Sequence, residues 1–344
     1  MKNCIVWNAR GAKSAEFKKH YKDMVNIHQP CILSLLETKM SDHQDLCEEI
    51  GFQNHIQSEA NGNSGDLVIM WRKDAITIAS VSISSQAINA MVKVSSPPSS
   101  WYISIIYASN DFKARVDIWN QLASFSESYI SPEENSWLVR GDFNEILRAS
   151  EKFEGARINQ NRSNLFMNYI NYCSLIDLGF KGSKYTWSNR RYRNRNGLIL
   201  KNLDRCLAND LWIYLYPEAS ITYLPRTNSD YSPLLLNIGS SPSNQIKPFR
   251  VESVCLSHQD FPNLINDSFL NFSCITMSTL DFEEKARVWN RLLFGNIFNK
   301  KKHLLAKLAG IQKSPNYPTS SFLQGLENTL LNEFNDILNL ETEF

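Results

Sequence analysis

The chain has 344 residues, 43% of them apolar, enough for one large or two ordinary domains with a sizeable core. A formal net charge of +1 excludes a global field that would attract nucleic acid or membrane, so such a partner must be met by a local patch. No apolar run is long enough to span a bilayer as a helix.

The N-terminus enters a strand-like run at Cys4-Ile5-Val6-Trp7 and has no signal-peptide anatomy. The seven cysteines are widely spaced and form no Cys-x-x-Cys, so reduced structural thiols and an intracellular setting, nuclear or cytoplasmic, are expected rather than secretion. Short apolar runs then predict strands at 4–7, 32–36, 67–71, 76–83, 90–94, 101–107, 137–139, 185–188, 203–207 and 233–238. Helical periodicity appears near 13–29, 40–50, 112–130 and 161–176. The mixture argues a layered α/β domain. Several strands abut in sequence, so two sheets with antiparallel pairing, packed face to face, are the simpler arrangement. After residue 240 the composition shifts to a Ser/Pro/Asn linker, 241–248. Residues 249–344 read as a helical extension, with helical spacing at 280–311 and 321–340 and a hairpin around Ser314-Pro315.

Polar groups at four places share one context, the end of an apolar strand, where α/β layers place ligands. Asn8 follows Ile5-Val6-Trp7, Glu37 follows Leu35-Leu36, Tyr107 ends the 101–107 run, and Asp142 and Asn144 close Gly141-Asp142-Phe143-Asn144. Glu37 is a natural hard-cation ligand, since magnesium commonly takes one or two carboxylates plus water and phosphate; the alternative is a strand-end acid paired with Lys39. Asn8 could share the metal shell or orient Glu37, or simply form a turn before Arg10-Gly11. Asp142 suits a base for water attacking phosphorus, and Asn144 a donor to a phosphoryl oxygen, although Gly-Asp-x-Asn is also turn chemistry. Tyr107 could support a phosphate through its hydroxyl. A further acid, Asp230, lies in Ser229-Asp230-Tyr231-Ser232-Pro233 before another apolar run.

Between Lys181 and Arg205 there are eight basic residues and one acid, Asp204, interleaved with Tyr185, Trp187 and Tyr192. Cations with stacking aromatics make a nucleic-acid surface, here Arg190, Arg191, Arg193, Arg195 and Trp187. The competing reading is a solvated loop.

Taken in order, Trp7-Asn8-Ala9-Arg10-Gly11, Leu36-Glu37-Thr38-Lys39, Ile106-Tyr107-Ala108, Gly141-Asp142-Phe143-Asn144, Leu203-Asp204-Arg205 and Ser229-Asp230-Tyr231-Ser232-Pro233 resemble the endonuclease/exonuclease/phosphatase superfamily. Within it the chain looks most like the apurinic-type endonuclease domain of plant LINE (non-LTR) retrotransposon polyproteins, over about residues 1–240, and more loosely like the segment preceding reverse transcriptase beyond them. The resemblance implies a four-layer sandwich, two packed mixed β-sheets flanked by helices, and Mg2+- (or Mn2+-) dependent cleavage of DNA. It implies Glu37, Asn8 and Asp230 at the metal and Tyr107 near the phosphate. Asp142 and Asn144 would handle nucleophile and transition state, with Asp204 orienting the residue after Asp230. That residue is histidine in the family motif and Tyr231 here. Imidazolium binds a phosphoryl oxygen near neutral pH, whereas phenol titrates near about 10. No histidine lies between His55 and His258 to stand in. Asp66 also replaces a glycine common in those domains, and no polymerase motif occurs in this chain.

The expected function is therefore a divalent-metal-dependent endonuclease-like phosphodiesterase acting on DNA, of retrotransposon origin and impaired by Tyr231, with no membrane partner. The alternative is a catalytically inactive retroelement relic or nucleic-acid-binding module. Action on phospholipid or inositol phosphates is disfavoured by the basic aromatic segment.

Overall fold

The computed structural model describes residues 3–58, 66–74, 76–95, 98–130, 135–191, 197–239, 259–270, 274–293 and 295–343. The expected linker 241–248, and Tyr192, Arg193 and Arg195, lie outside them. Two compact units result, Met1–Ser241 with Gln312–Ser321, and Pro242–Ile311 with Phe322–Phe344.

The first unit begins β1 (Asn3–Asn8), α1 (Ala15–His28), β2 (Ile32–Leu36), α2 (Gln44–Glu48), β3 (Asn54–Gln57), β4 (Leu67–Trp71). It continues through β5 (Ile76–Ile83), β6 (Ala87–Ser95), β7 (Pro98–Tyr107), α3 (Phe112–Tyr129), β8 (Trp137–Asp142), β9 (Lys152–Phe153) and α4 (Gln160–Tyr172). Then come β10 (Ile176–Asp177), β11 (Lys181–Gly182), β12 (Trp187–Ser188), β13 (Leu200–Lys201), β14 (Asp204–Ala208), α5 (Asp210–Leu215), β15 (Ser220–Tyr223) and β16 (Leu234–Asn237). One sheet has the order β11-β15-β16-β1-β2-β4-β3, a second β10-β14-β8-β7-β6-β5, and a small third β12-β13-β9.

Side-chain alternation builds the layers. Cys4 and Val6 of β1, Ile32 and Leu36 of β2, Ile103 and Ile105 of β7 and Leu138 of β8 meet between the two large sheets. Their neighbours Ile5, Trp7, Leu33 and Leu35 turn the other way, onto Phe17, Tyr21 and Leu46 of α1 and α2. On the second sheet Ile106, Trp137 and Val139 face Trp119, Phe125, Phe166 and Ile170 of α3 and α4. This is the expected sandwich of two mixed sheets with helices outside. Strands buried on both faces read clearly from sequence because each neighbour is apolar. The strands that sequence misses are β3, whose Asn-His-Ile-Gln is half-buried, β15, and two-residue pairs too short to show a period.

Gly141 explains the glycine before Asp142. Its φ is +138°, and a Cβ there would meet the Ile106 carbonyl oxygen at 2.0 Å, so only glycine lets β7 lie this close to β8. Arg140 is buried between the sheets, where its guanidinium donates to the Leu234 carbonyl at 2.8 Å and ties β8 to β16.

The extension is helical, as expected, with helices Phe261–Phe269, Ile275–Leu293, Gly295–Lys313 and Ser321–Glu343 among the described residues. Phe261 packs with Leu264, Phe282 and Trp289. The turn after Lys313 falls at the expected hairpin and belongs to the first unit. There Gln312 accepts from the Arg226 backbone N–H at 2.9 Å and donates back to its carbonyl at 3.1 Å.

Candidate active site

Parallel pairing sets Asn8 of β1 opposite Leu36 of β2, so Glu37 follows at the same end. Parallel β7–β8 pairing sets Tyr107 opposite Asp142, and antiparallel β8–β14 pairing sets Asp204 opposite Asp142. The sheets are joined here by the Asn8 Nδ2 donor to Asp142 Oδ2 at 3.0 Å. The segment before β16 closes over them, with the Ser229 hydroxyl donating to the Asn8 carbonyl at 2.7 Å and the Trp7 indole donating to the Tyr231 carbonyl at 3.2 Å. Thus Asn8, Glu37, Tyr107, Asp142, Asn144, Asp204, Asp230 and Tyr231 gather at one mouth.

The backbone is strained at this mouth. Arg10, Glu37, Asn144 and Arg190 all have left-handed φ, between 49° and 53°. Non-glycine residues seldom adopt this region, and such strain concentrates at functional sites.

Asp142 is fully buried and held by three donors: Asn8, the Asn144 backbone N–H at 2.9 Å and the Tyr231 hydroxyl. Burial pushes its carboxyl up against those bonds, to about 6, with nearby Glu37 adding to the rise. That value suits a base working near neutrality. Asn144 also donates its side-chain amide to the Ala108 carbonyl at 2.7 Å.

Tyr107 hydrogen-bonds Glu37, and burial followed by the charges of Glu37 and Asp142 pushes its phenol up. Burial, then Asp142 and Asp204, does the same to Tyr231, so its hydroxyl stays a neutral donor. Asp204 is buried too; burial and then Asp142 raise its carboxyl well above the usual range, against a bond from Thr186. Its Oδ2 has no hydrogen-bond partner. Tyr231 directs its hydroxyl to Asp142 and not to Asp204 Oδ2.

Glu37 lies at the mouth with 15% of its side chain exposed, and Lys39 approaches it at 3.8 Å. The ion pair that competes with the metal reading is therefore present. Asp230 is shared between two guanidiniums, Arg10 on Oδ2 and Arg190 on Oδ1 at 3.3 Å. Asp66 gives its carbonyl to the Glu37 N–H at 2.9 Å, and its buried Oδ1 has no hydrogen-bond partner.

The chain resembles several solved structures of nucleic-acid enzymes. The endonuclease domain of TRAS1, a telomere-specific non-LTR retrotransposon, matches with a TM-score of 0.54 at 13% identity, over 70% of this chain and 100% of that one. An AP endonuclease from Archaeoglobus fulgidus gives 0.52 at 13%, over 69% and 98%. The 3' phosphatase NExo from Neisseria, bound to a product DNA hairpin, gives 0.52 at 16%, over 69% and 98%. At this identity the likeness is one of fold: two packed mixed sheets with helices outside, shared with these three structures. No protein-family model and no curated protein matches the sequence.

Within this fold, the basic segment divides. Arg205 is buried and neutralised by Glu151 and by Asp177 at 3.3 Å, so it is structural. Arg191 is exposed, Arg190 turns back to Asp230, and Trp187 lies beneath Lys201 at 5.2 Å and bridges Tyr231. A cavity of about 300 Å³ adjoins Asn144, lined by Arg115, Lys152, Arg157, Arg162 and Lys201, with Glu145 the acid. Arg115 engages that acid at 3.2 Å.

Sequence reasoning missed three contributors: Thr186, Ser229 and Arg10. Arg10 stands two residues after Asn8 in the Trp7–Gly11 motif, and only its position there could have flagged it.

Proposed function

We propose that the chain is a divalent-metal-dependent endonuclease-like phosphodiesterase acting on DNA, of plant LINE retrotransposon origin, working at reduced efficiency because Tyr231 stands where the motif has histidine. One observation carries this reading: a buried Asp142 held by Asn8, Asn144 and Tyr231 beside Glu37, its carboxyl pushed up by burial. The retrotransposon endonuclease domain and the DNA-bound phosphatase among the similar structures support DNA as the substrate class. The basic cavity beside Asn144 supports a polyanion.

Among the described residues no three His, Cys, Asp or Glu side chains converge as a metal cage. Glu37, with Asn8 at the end of the neighbouring strand, nevertheless fits a magnesium site of the kind that uses one carboxylate and fills its shell with water and phosphate. A bound Mg2+ or Mn2+ would supply Lewis-acid charge neutralisation at the phosphate. Asp230 fits that role less well, since both its oxygens meet guanidiniums.

The remaining chemistry falls to the protein. Asp142 accepts the proton of the attacking water, and Asn8 and the Asn144 N–H hold its carboxylate for that task. The second amide hydrogen of Asn144 is available to a phosphoryl oxygen. Tyr107 fixes Glu37. Tyr231 keeps Asp142 oriented but brings no positive charge. Plasmid nicking with and without magnesium tests the reading: weak, magnesium-dependent nicking that Asp142→Ala removes is expected, and nicking untouched by Asp142→Ala would reject it.

The unpartnered Oδ2 of Asp204 favours a second reading, an inactive relic that binds DNA. Binding without any nicking across pH and metal would select it.

A further inference from the structure

Arg10 and Arg190 are far apart in sequence, yet both reach one carboxylate, Asp230. Two cations on one anion leave this trio with a net positive charge. The trio is partly exposed: the Arg10, Arg190 and Asp230 side chains are 46%, 30% and 28% exposed. Each arginine is held in left-handed backbone, a costly conformation for a residue that would otherwise need only to decorate a loop. Arg190 is anchored further by bonds to the Thr227 carbonyl at 3.0 Å and to the Ser229 carbonyl. Burial works against the Arg10 charge, but Asp230 and then Glu37 outweigh it, so the guanidinium is firmly cationic; Tyr231 is in its field as well.

We propose that Arg10 and Arg190, cross-linked by Asp230, form a guanidinium clamp that grips a phosphodiester group at this mouth and supplies the positive charge that Tyr231 does not. The proposal rests on the phosphodiesterase reading above and adds the groups that hold its substrate. A guanidinium presents several N–H donors in a plane, so each arginine can keep one donor on Asp230 and turn others to phosphate oxygens. Asp230 is then a positioning residue, spacing two cations that would otherwise repel each other. Because the charge is permanent, the clamp needs no protonation near neutral pH, unlike an imidazole.

The test uses the full chain in EDTA, so that binding is read apart from turnover. Affinity for a fluorescently labelled DNA duplex is measured against salt, and inorganic phosphate is titrated separately by thermal shift. Arg10→Gln and Arg190→Gln should each weaken duplex binding at least threefold and together at least tenfold. The log–log salt slope should fall by roughly 0.9 for each phosphate that is no longer neutralised. Arg10→Lys should recover part of the affinity. Phosphate should raise the melting temperature of the wild type and not of the double variant. Wild-type duplex binding with both Gln variants unchanged in affinity and slope would overturn the clamp while leaving DNA as the ligand. Phosphate stabilisation abolished in the variants, with no duplex binding by the wild type, would uphold the clamp and overturn the DNA reading. If Arg190→Gln does not fold, having given up its carbonyl bonds, Arg10→Gln decides by the same readouts.

Discussion

Asp142 and Asp204 sit opposite each other across the β8–β14 ladder, both buried, but only Asp142 is fully hydrogen-bonded. Tyr231 donates to the first and leaves Oδ2 of the second unpaired. Of the four carboxylate oxygens of this buried pair, Asp204 Oδ2 is left without a hydrogen bond.

Tyr231→His should place an imidazole between them. An acid–base or charge-stabilising group of this kind is commonly worth about 10²–10⁴ in rate. Magnesium-dependent nicking should rise at least about tenfold, roughly 1.4 kcal/mol of barrier. Asp142→Ala in that background should abolish the gain. A folded Tyr231→His protein with no gain would place the defect elsewhere, with Asp66 the next suspect.

Asp142 also makes stability depend on pH. Its carboxyl titrates near about 6 when folded and near about 4 when unfolded, so the native state binds the proton more tightly. The associated stability is fully present below about pH 4 and lost as pH rises through about 6, a loss of about 3 kcal/mol at 1.36 kcal/mol per unit. Asp204 is shifted in the same direction and adds to the trend. In Asp142→Asn the Asp142 share disappears, so denaturation midpoints at pH 4.5 and 7.5 should lie closer together than in the wild type. Equal pH dependence in both proteins would show that Asp142 is not shifted.

Glu37→Gln should weaken magnesium binding, measured by calorimetry or by thermal shift, at least tenfold. Its carboxylate is the one acidic group at the mouth, among the described residues, that is neither deeply buried nor shared between guanidiniums. Unchanged magnesium affinity would reject it as the principal ligand.

Gln312→Ala should destabilise the first unit. The side chain pairs both the N–H and the carbonyl of Arg226 at a buried position. Leaving those groups unsatisfied costs about 1–3 kcal/mol each, visible as a lower melting temperature in the full chain. An unchanged melting temperature would mean that this turn is dispensable to the sandwich.

The sequence by itself determined the layered fold and the strand ends from which the candidate site is drawn. Strands such as β2 and β4 appear where the apolar runs lie, because a buried strand is written locally in neighbouring residues. Asn8, Glu37, Tyr107 and Asp142 could be named because each ends such a run, and a strand end must expose its last polar group. What the tertiary structure alone decided is which of these groups touch. The meeting of Arg10 with Asp230, 220 residues apart, follows from antiparallel packing of β16 on β1. The burial of Arg205 on Glu151 and Asp177 removed it from a basic run where, by composition, it looked like any other cation. The unpartnered oxygen of Asp204 exists only because two sheets close over it. Burial, register and charge pairing depend on strands brought together from opposite ends of the chain, and no local pattern records that meeting.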